Sequence, residues 1–229
     1  MSEFNANAVP APKARVNVKT VTSLAMLSAL TYLAMLLSNL LPKIDFLQME
    51  IKGTVIAIGG FLFGPLSAAV IAIIVAVLEM VTVSQTGPIG CIMNLLAACA
   101  FACPAAYIYQ KNRTKKGAVI GLGVGVVVLT VVMLLWNYFL VPVYQGIPRD
   151  VVADMLPTLF LPFNLVKGGL NMALTLLLYK PVVTALRKAR LVPERAAAPG
   201  KRFDAGFLLF SLALLATFVT LVLVLSGKI

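Results

Sequence analysis

The sequence is poor in charged residues and contains no histidine. Only 12% of its 229 residues are Asp, Glu, Lys or Arg, and 61% are hydrophobic. Soluble domains contain roughly 25% charged residues, and only about half of their residues are apolar. Together with a mean hydropathy of +0.99, this shortage of charge excludes an ordinary globular protein. The composition predicts that most of the chain lies in a lipid bilayer.

Cysteine is also scarce, and its positions do not suggest a disulfide framework. Cys91, Cys99 and Cys103 lie in or beside one apolar segment, and their number is odd. With no histidine and no Cys-x-x-Cys pair, the sequence offers no usual ligand set for zinc or haem. We therefore expect no metal site, and we interpret the three cysteines as small buried apolar residues.

The groups that carry out acid–base or nucleophilic catalysis are missing as well. The apolar segments hold no pair of acidic residues and no nucleophile placed beside a base. The phosphate-binding pattern Gly-x-x-x-x-Gly-Lys-Ser/Thr is absent, so any ATP hydrolysis would have to come from another protein. These absences disfavour a polytopic membrane enzyme, and we expect neither catalytic residues nor a cofactor.

What the sequence does contain is a series of apolar segments close to the length of about 20 residues that crosses a bilayer. They lie at residues 21–41, 51–63, 66–83, 91–109, 117–142, 157–179 and 207–225. The second is short, so we expect it to be tilted, shielded by protein or extended into the preceding loop. The predicted fold is an all-α integral membrane protein, with a six-helix transmembrane bundle followed by an extra C-terminal transmembrane helix.

Lysine and arginine are distributed unevenly between the connecting segments. The 19 Lys and Arg residues outnumber the 8 acidic residues, giving a net charge of +11, and most lie at residues 13–19, 111–116 and 180–202. A cytoplasmic N-terminus puts these three groups on the inner side, and only Lys43, Lys52, Arg149 and Lys228 outside. We therefore predict a cytoplasmic N-terminus and an extracellular C-terminus. Since topology accounts for the excess charge, with anionic lipid as a secondary contact, it gives no reason to expect nucleic-acid binding.

The same pattern divides the chain into four parts. Residues 1–20 form a polar cytoplasmic tail, and residues 21–191 form the six-helix core. Residues 192–204 are a cytoplasmic linker, and residues 205–229 contain the extra transmembrane segment. The tail lacks the apolar stretch of a secretory signal, so we predict that the first hydrophobic run is a retained membrane helix.

Three polar side chains interrupt the segment at residues 157–179. Asn164, Lys167 and Asn171 have the spacing i, i+3, i+7, which puts them on one face of a helix beginning near Pro162. Polar groups inside a span usually face a cavity or the protein interior. Their donors and acceptors suit a heterocycle with amide-like edges. The alternative is that Lys167 extends to the interface or pairs with an acid such as Glu79, while the asparagines link helices.

Two further asparagines lie near the predicted outer surface. Asn94 follows the break Gly87-Pro88-Ile89-Gly90, and Asn137 lies between Trp136 and Tyr138-Phe139. These aromatic residues are typical either of an interfacial belt or of a stacking wall for a flat ring. Glu79, the acid inside a segment, is interpreted as an ion partner or an anchor of an outer loop.

Small residues recur on the first predicted helix. Ala25 and Ala29 are four positions apart, a spacing that allows another helix to approach closely. The pattern fits either packing within the protein or docking of a partner.

Several motifs agree in order and spacing with a known family. They are PFNLVKGGLNMALTLLLYKPV from Pro162, Ile44-Asp45-Phe46, the stretch GFLFGP at residues 60–65, Thr86-Gly87-Pro88-Ile89-Gly90 with Asn94, and Asn137-Tyr138-Phe139 with Pro142 and Tyr144. Over residues 21–191 the chain resembles the riboflavin-specific substrate-binding S-components of energy-coupling factor (ECF) vitamin transporters.

The resemblance implies both a ligand and partners. It implies that Phe46, Asn94, Asn137, Asn164 and Lys167 bind riboflavin from outside, and it leaves FMN open as a further ligand. It also implies that Ala25 and Ala29 dock on a transmembrane coupling subunit that carries two ABC ATPases.

The sequence departs from the family pattern in two places. Leu47-Gln48-Met49-Glu50 follow Asp45-Phe46 where the family has small polar residues, and residues 207–225 lie beyond the usual six helices. An S-component for a different vitamin therefore stays open, as does an autonomous proton-coupled carrier using Glu79 and Lys167.

Overall fold

The computed structural model describes residues 18–83, 86–189 and 205–227. The described chain is almost entirely helical. Its helices are α1 (Val18–Ser38), α2 (Lys52–Phe63), α3 (Pro65–Thr82), α4 (Gly87–Lys111), α5 (Lys115–Gln145), α6 (Arg149–Met155), α7 (Leu161–Lys188) and α8 (Ala205–Leu225), with a π-helical turn (Leu156–Phe160) between α6 and α7. All seven predicted segments are helical, so the predicted all-α fold is confirmed.

Most of the helices have the dimensions of membrane spans. Within the described residues, six helical stretches are long and apolar enough to cross a bilayer, and one of them runs continuously from Arg149 to Lys188. Helix α2 has only 12 residues, nine of them buried by neighbouring helices. The expectation that this short segment is shielded by protein is confirmed.

The structure describes only some of the four predicted parts of the chain. Helix α1 begins at Val18, so the predicted tail, residues 1–20, reaches into it, while residues 1–17 lie outside the described residues. The predicted linker, residues 192–204, also lies outside them.

The loop after α1 folds into a small antiparallel hairpin. Its strands are β1 (Lys43–Ile44) and β2 (Leu47–Gln48), in which Ile44 pairs with Leu47. Asp45 occupies the turn with φ 54° and is exposed. The hairpin is attached to α1, because Gln48 Nε2 donates to the Ser38 carbonyl at 2.8 Å and the Ile51 N–H donates to Ser38 Oγ at 3.0 Å. Ser38 thereby fixes where the chain enters α2.

Small side chains at the centre of the bundle allow its helices to approach closely. Ala102, Ala105 and Ala106 of α4 are fully buried in the main core cluster. A Cβ at Gly125 of α5 would overlap the Phe101 carbonyl oxygen, so this close contact between α4 and α5 requires glycine. The resulting scaffold holds the polar residues of different helices in fixed positions.

The bundle has two chemically different ends. Helix α4 runs from Gly87 to Lys111, and its C-terminal end leads through an exposed turn with Arg113 to Lys115, the exposed first residue of α5. Lys115 Nζ lies 5.3 Å from the ring centroid of Phe207 at the start of α8, so α8 begins at this basic end. The hairpin and the N-terminal part of α4 lie at the opposite end, where the candidate site is found.

Candidate functional site

A cavity of about 420 Å³ opens at the end of the bundle that carries the hairpin. Its walls come from α1, the hairpin, α3, α4, α5 and α7. The lining residues are Met35, Ser38, Asn39, Lys43, Phe46, Leu47, Gln48, Glu50, Glu79, Val83, Thr86, Ile89, Gly90, Met93, Asn94, Ala97, Met133, Asn137, Tyr144, Gln145, Phe163, Asn164 and Lys167. The volume falls in the range of roughly 300–1,000 Å³ that is usual for small-molecule sites.

The five residues that the sequence predicts to bind a ligand all line this cavity. They are Phe46, Asn94, Asn137, Asn164 and Lys167, and they come from four different elements. The Phe46 ring lies edge-on to Phe160, with ring centroids 6.0 Å apart, and this contact orients the ring. The fold therefore brings together residues that are more than a hundred positions apart in the sequence.

Four ionisable side chains form a continuous network beside the cavity. Glu50 accepts hydrogen bonds from Lys167 Nζ at 2.7 Å and from Lys52 Nζ at 2.8 Å. Lys52 Nζ also donates to Glu79 Oε2 at 2.6 Å, and Asn94 Nδ2 donates to Glu79 Oε1 at 2.9 Å. Two positive and two negative charges thus compensate one another. Such pairing is needed because buried charges without partners are costly.

Glu50 is the centre of this network. Its burial alone would raise the pKa of the carboxyl group, but the ammonium groups of Lys167 and Lys52 outweigh burial and lower the pKa to about 2. The carboxylate is therefore ionised at neutral pH.

Asn171 connects the network to the backbone instead of lining the large cavity. Its Nδ2 donates to the Glu50 carbonyl at 2.7 Å, and its Oδ1 accepts from the Thr54 N–H at 2.9 Å. The sequence predicts Asn164, Lys167 and Asn171 on one helical face, and of these Asn164 and Lys167 line the cavity. Asn171 instead links α7 to α2, as the alternative interpretation of the asparagines proposed.

Two side-chain amides at the cavity have polar atoms that make no hydrogen bond within the described residues. Asn164 Nδ2 donates to the Phe160 carbonyl at 2.8 Å, while no donor among the described residues reaches its Oδ1. Asn137 is only 2% exposed, and its amide makes no hydrogen bond within the described part of the chain. These atoms can serve a ligand that offers both donors and acceptors.

The structure shows the partners of two individual charged residues. Lys167 pairs with a carboxylate, as the alternative interpretation expected, but this carboxylate is Glu50 and not the example Glu79. Lys52, counted among the cations of the outer side, is 5% exposed and holds Glu50 and Glu79 together. The sequence contains a signal for this network: Glu50 and Lys52 flank the start of an apolar segment, and Glu79 lies within another.

The aromatic residues around Asn137 do not form a stacking wall. Trp136, Tyr138 and Phe139 are absent from the cavity lining, and Phe139 is 52% exposed. The aromatic side chains that do reach the cavity are Phe46, Tyr144 and Phe163. The interpretation of Trp136 and its neighbours as a stacking wall is therefore wrong.

Ala25 and Ala29 lie away from the cavity on the exposed surface of α1. Neighbouring buried residues of the same helix, Leu27 and Ser28, face the bundle. The pair of alanines is accordingly not used for packing within the described structure and is accessible to another helix.

Comparison with known proteins identifies the family of this arrangement. A family model described as ECF transporter, substrate-specific component, matches residues 19–183. The chain belongs to this family of ECF transporter components. The matched residues include every residue that lines the cavity, and they end before α8.

Three curated relatives of this chain are named as riboflavin transporters. The riboflavin transporter RibU of Streptococcus thermophilus is 28% identical over 75% of this chain and 86% of the relative. The riboflavin transporter FmnP of Bacillus subtilis is 29% identical over 67% of this chain and 86% of the relative. The riboflavin transporter RibU of Staphylococcus aureus is 27% identical over 74% of this chain and 93% of the relative.

A solved structure of an ECF component also matches the fold of this chain. The S component of a bacterial ECF transporter superposes with a TM-score of 0.62 and 26% identity, covering 74% of this chain and 98% of that chain. This chain is therefore a multi-pass membrane protein and a substrate-binding component of a transporter.

Proposed function

We propose that this chain is the riboflavin-binding S-component of an ECF-type importer. The observation that carries the proposal is the meeting of Phe46, Asn94, Asn137, Asn164 and Lys167 at one cavity of about 420 Å³. The named relatives support riboflavin as the ligand, since three of them are riboflavin transporters. In this proposal the chain captures the vitamin and performs no chemistry on it.

The cavity offers complementary groups for the two parts of riboflavin. Phe46 and Phe163 present apolar aromatic surface that can cover the flat ring system. Asn137 and Asn164 present amide atoms that can pair with the polar ring edge or with the ribityl hydroxyls. Lys167 and Asn94 are held in place by Glu50 and Glu79, so their remaining donors are oriented before the ligand arrives. Such preorganisation favours tight binding.

Transport requires partners that supply energy. The sequence has no phosphate-binding loop. The family resemblance implies that two ABC ATPases hydrolyse ATP and act through a transmembrane coupling subunit. The exposed Ala25 and Ala29 on α1 provide the docking surface for that subunit, because small side chains permit close helix contact.

The proposed orientation places the cavity outside the cell. The exposed basic turn around Arg113 and Lys115 lies at the other end of the bundle from the cavity, and a basic end is expected on the cytoplasmic side. The N-terminus is then cytoplasmic and the C-terminus extracellular. Residues 1–20 are assigned to the tail, 21–191 to the core, 192–204 to the linker and 205–229 to the extra segment.

The first experiment is to purify the chain and titrate it with riboflavin, following the quenching of flavin fluorescence. We expect saturable binding, and mass spectrometry of the purified protein should identify the bound ligand. A folded chain that shows no flavin binding, and instead retains another vitamin in a ligand screen, would contradict the proposal in favour of a different S-component. FMN titrated in parallel tests whether the phosphate is accepted.

The network of ion pairs among Glu50, Lys52, Glu79 and Lys167 is the observation that favours a second candidate, a proton-coupled carrier working alone. Reconstitution in liposomes separates the two functions. Riboflavin uptake driven by a pH gradient without ATPase partners supports the carrier. Binding without uptake supports the S-component.

A further inference from the structure

Helix α8 is the element that the family comparison leaves without a role. The family model ends at residue 183, and the related S component is covered over 98% of its length by 74% of this chain. Helix α8 (Ala205–Leu225) lies beyond the matched region. It contacts α7, the helix that carries Asn164 and Lys167.

The contact between α8 and α7 is close and specific. The Phe218 ring of α8 lies directly over Gly169 of α7, and a Cβ at position 169 would overlap that ring. Gly169 lies two residues after Lys167. The Phe218 ring thus occupies space that is open only because residue 169 is a glycine and has no side chain.

The C-terminal half of α8 also reaches the first loop. Val222 is 5% exposed in a cluster with Ile44 and Met49 of the loop and with Phe163 and Val166 of α7. Leu215, Phe218 and Leu225 pack against the same cluster. This side of α8 therefore contacts both the loop and the helix that bound the cavity.

These contacts lie immediately beside the ion pair at the cavity. Met49 precedes Glu50, Val166 precedes Lys167, and Glu50 accepts the Lys167 hydrogen bond at 2.7 Å. Any separation of the hairpin from the start of α7, which would open the cavity, pulls apart the cluster that α8 completes.

We propose that α8 is a positioning element of the binding site, in which Phe218 holds the hairpin and α7 together and slows release of the ligand. The inference rests on the proposed riboflavin-binding function. The outward side of α8 carries exposed residues such as Leu209 and Phe210 and faces lipid. One side of α8 therefore packs against the binding site. Residues on the other side can be substituted without changing a contact to the site.

The test measures association and dissociation rates of riboflavin by stopped-flow fluorescence on the full chain, together with the melting temperature of the ligand-free protein. Because loss of this partly buried ring from its contact with α7 acts mainly on the release rate, we expect Phe218→Ala to dissociate about fivefold faster or more with little change in the association rate. Phe210→Ala removes an equal side chain from the lipid-facing side of α8 and should release at the wild-type rate. Phe218→Leu keeps an apolar side chain and gives an intermediate rate at less risk to folding.

A second substitution tests the contact from the other side. Gly169→Ala should speed release in the wild-type background, because its Cβ displaces the Phe218 ring. In the Phe218→Ala background the space is empty, so the same Gly169→Ala change should have little additional effect. Non-additivity of this kind assigns the effect to this contact and not to general destabilisation.

The outcomes separate this inference from the function on which it rests. A folded wild-type chain that binds no flavin would overturn both. If the wild type binds flavin but Phe218→Ala, Phe218→Leu and Gly169→Ala all release it at the wild-type rate, α8 is not a positioning element. Lower melting temperatures with unchanged release rates would likewise assign α8 a role in stability alone.

Discussion

Glu50 Oε2 accepts a hydrogen bond from Lys167 Nζ at 2.7 Å, although the two residues are 117 positions apart in the sequence. The contact joins the end of the first loop to the first turns of α7. Since both residues line the cavity, their pairing fixes the distance between two of its walls. The site therefore depends on a tertiary contact between a buried carboxylate and a partly buried ammonium group as well as on the residues that face the ligand.

We predict that Lys167→Ala weakens riboflavin binding by at least about tenfold. Hydrogen bonds to charged groups contribute roughly 1.5–3 kcal/mol, and the substitution removes both a donor at the cavity and one partner of Glu50. The dissociation constant from fluorescence quenching is the measurement. Lys116→Ala is the control, because it removes the same charge from an exposed position in the first turn of α5. Equal affinity of Lys167→Ala and wild type would remove Lys167 from the site.

Glu50→Gln should lower the stability of the ligand-free protein. The substitution removes the negative charge between Lys52 and Lys167 and leaves Glu79 as the remaining carboxylate of the network. Removing one partner of a buried ion pair typically costs about 3–5 kcal/mol. Thermal unfolding in detergent measures the change.

Asp45→Asn is the matched control for Glu50→Gln, since it neutralises an acid in the same loop. Asp45 is exposed at the hairpin turn with φ 54°, a conformation that asparagine also tolerates. Its melting temperature should stay close to that of the wild type. A similar loss of stability in the two variants would show that the effect comes from the loop and not from the buried network.

The stability contributed by Glu50 should be insensitive to pH near neutrality and should disappear in acid. Its pKa is lowered from 4.5 to about 2 in the folded protein, so the folded state favours the ionised carboxylate. This contribution is fully present above pH 4.5 and is lost as the pH falls toward 2. Melting temperatures measured from pH 7 downward should therefore fall more steeply in the wild type than in Glu50→Gln. Parallel curves would contradict the assigned ionisation.

Much of the fold could be predicted because a bilayer imposes a simple rule on the sequence. Each spanning helix needs a long apolar stretch, and the predicted segments coincide with helices that the structure describes. Asn164 and Lys167 could be placed on one helical face from their spacing alone. Polar residues within a span are rare enough to mark the cavity wall without knowledge of their partners.

The hairpin and the charged network could not be predicted in the same way. The strands of the hairpin have only two residues each, too few for a periodic pattern. Lys52 follows a polar loop, so its sequence neighbourhood suggests an outer surface. Its burial results from contacts with Glu79 of α3, which becomes a neighbour only after the helices pack. Long-range pairing of this kind leaves no local signal.

Replacing the exposed alanines of α1 should separate ligand binding from assembly. Ala25→Leu and Ala29→Leu enlarge the surface proposed to meet the coupling subunit, where close helix approach requires small side chains. We expect the double variant to bind riboflavin with wild-type affinity, because neither position lines the cavity, and to lose copurification with the coupling subunit and vitamin uptake in cells. Ala213→Leu, an equal enlargement at an exposed position of α8, should retain both. If the double variant still assembles and transports, the docking surface lies elsewhere on the bundle.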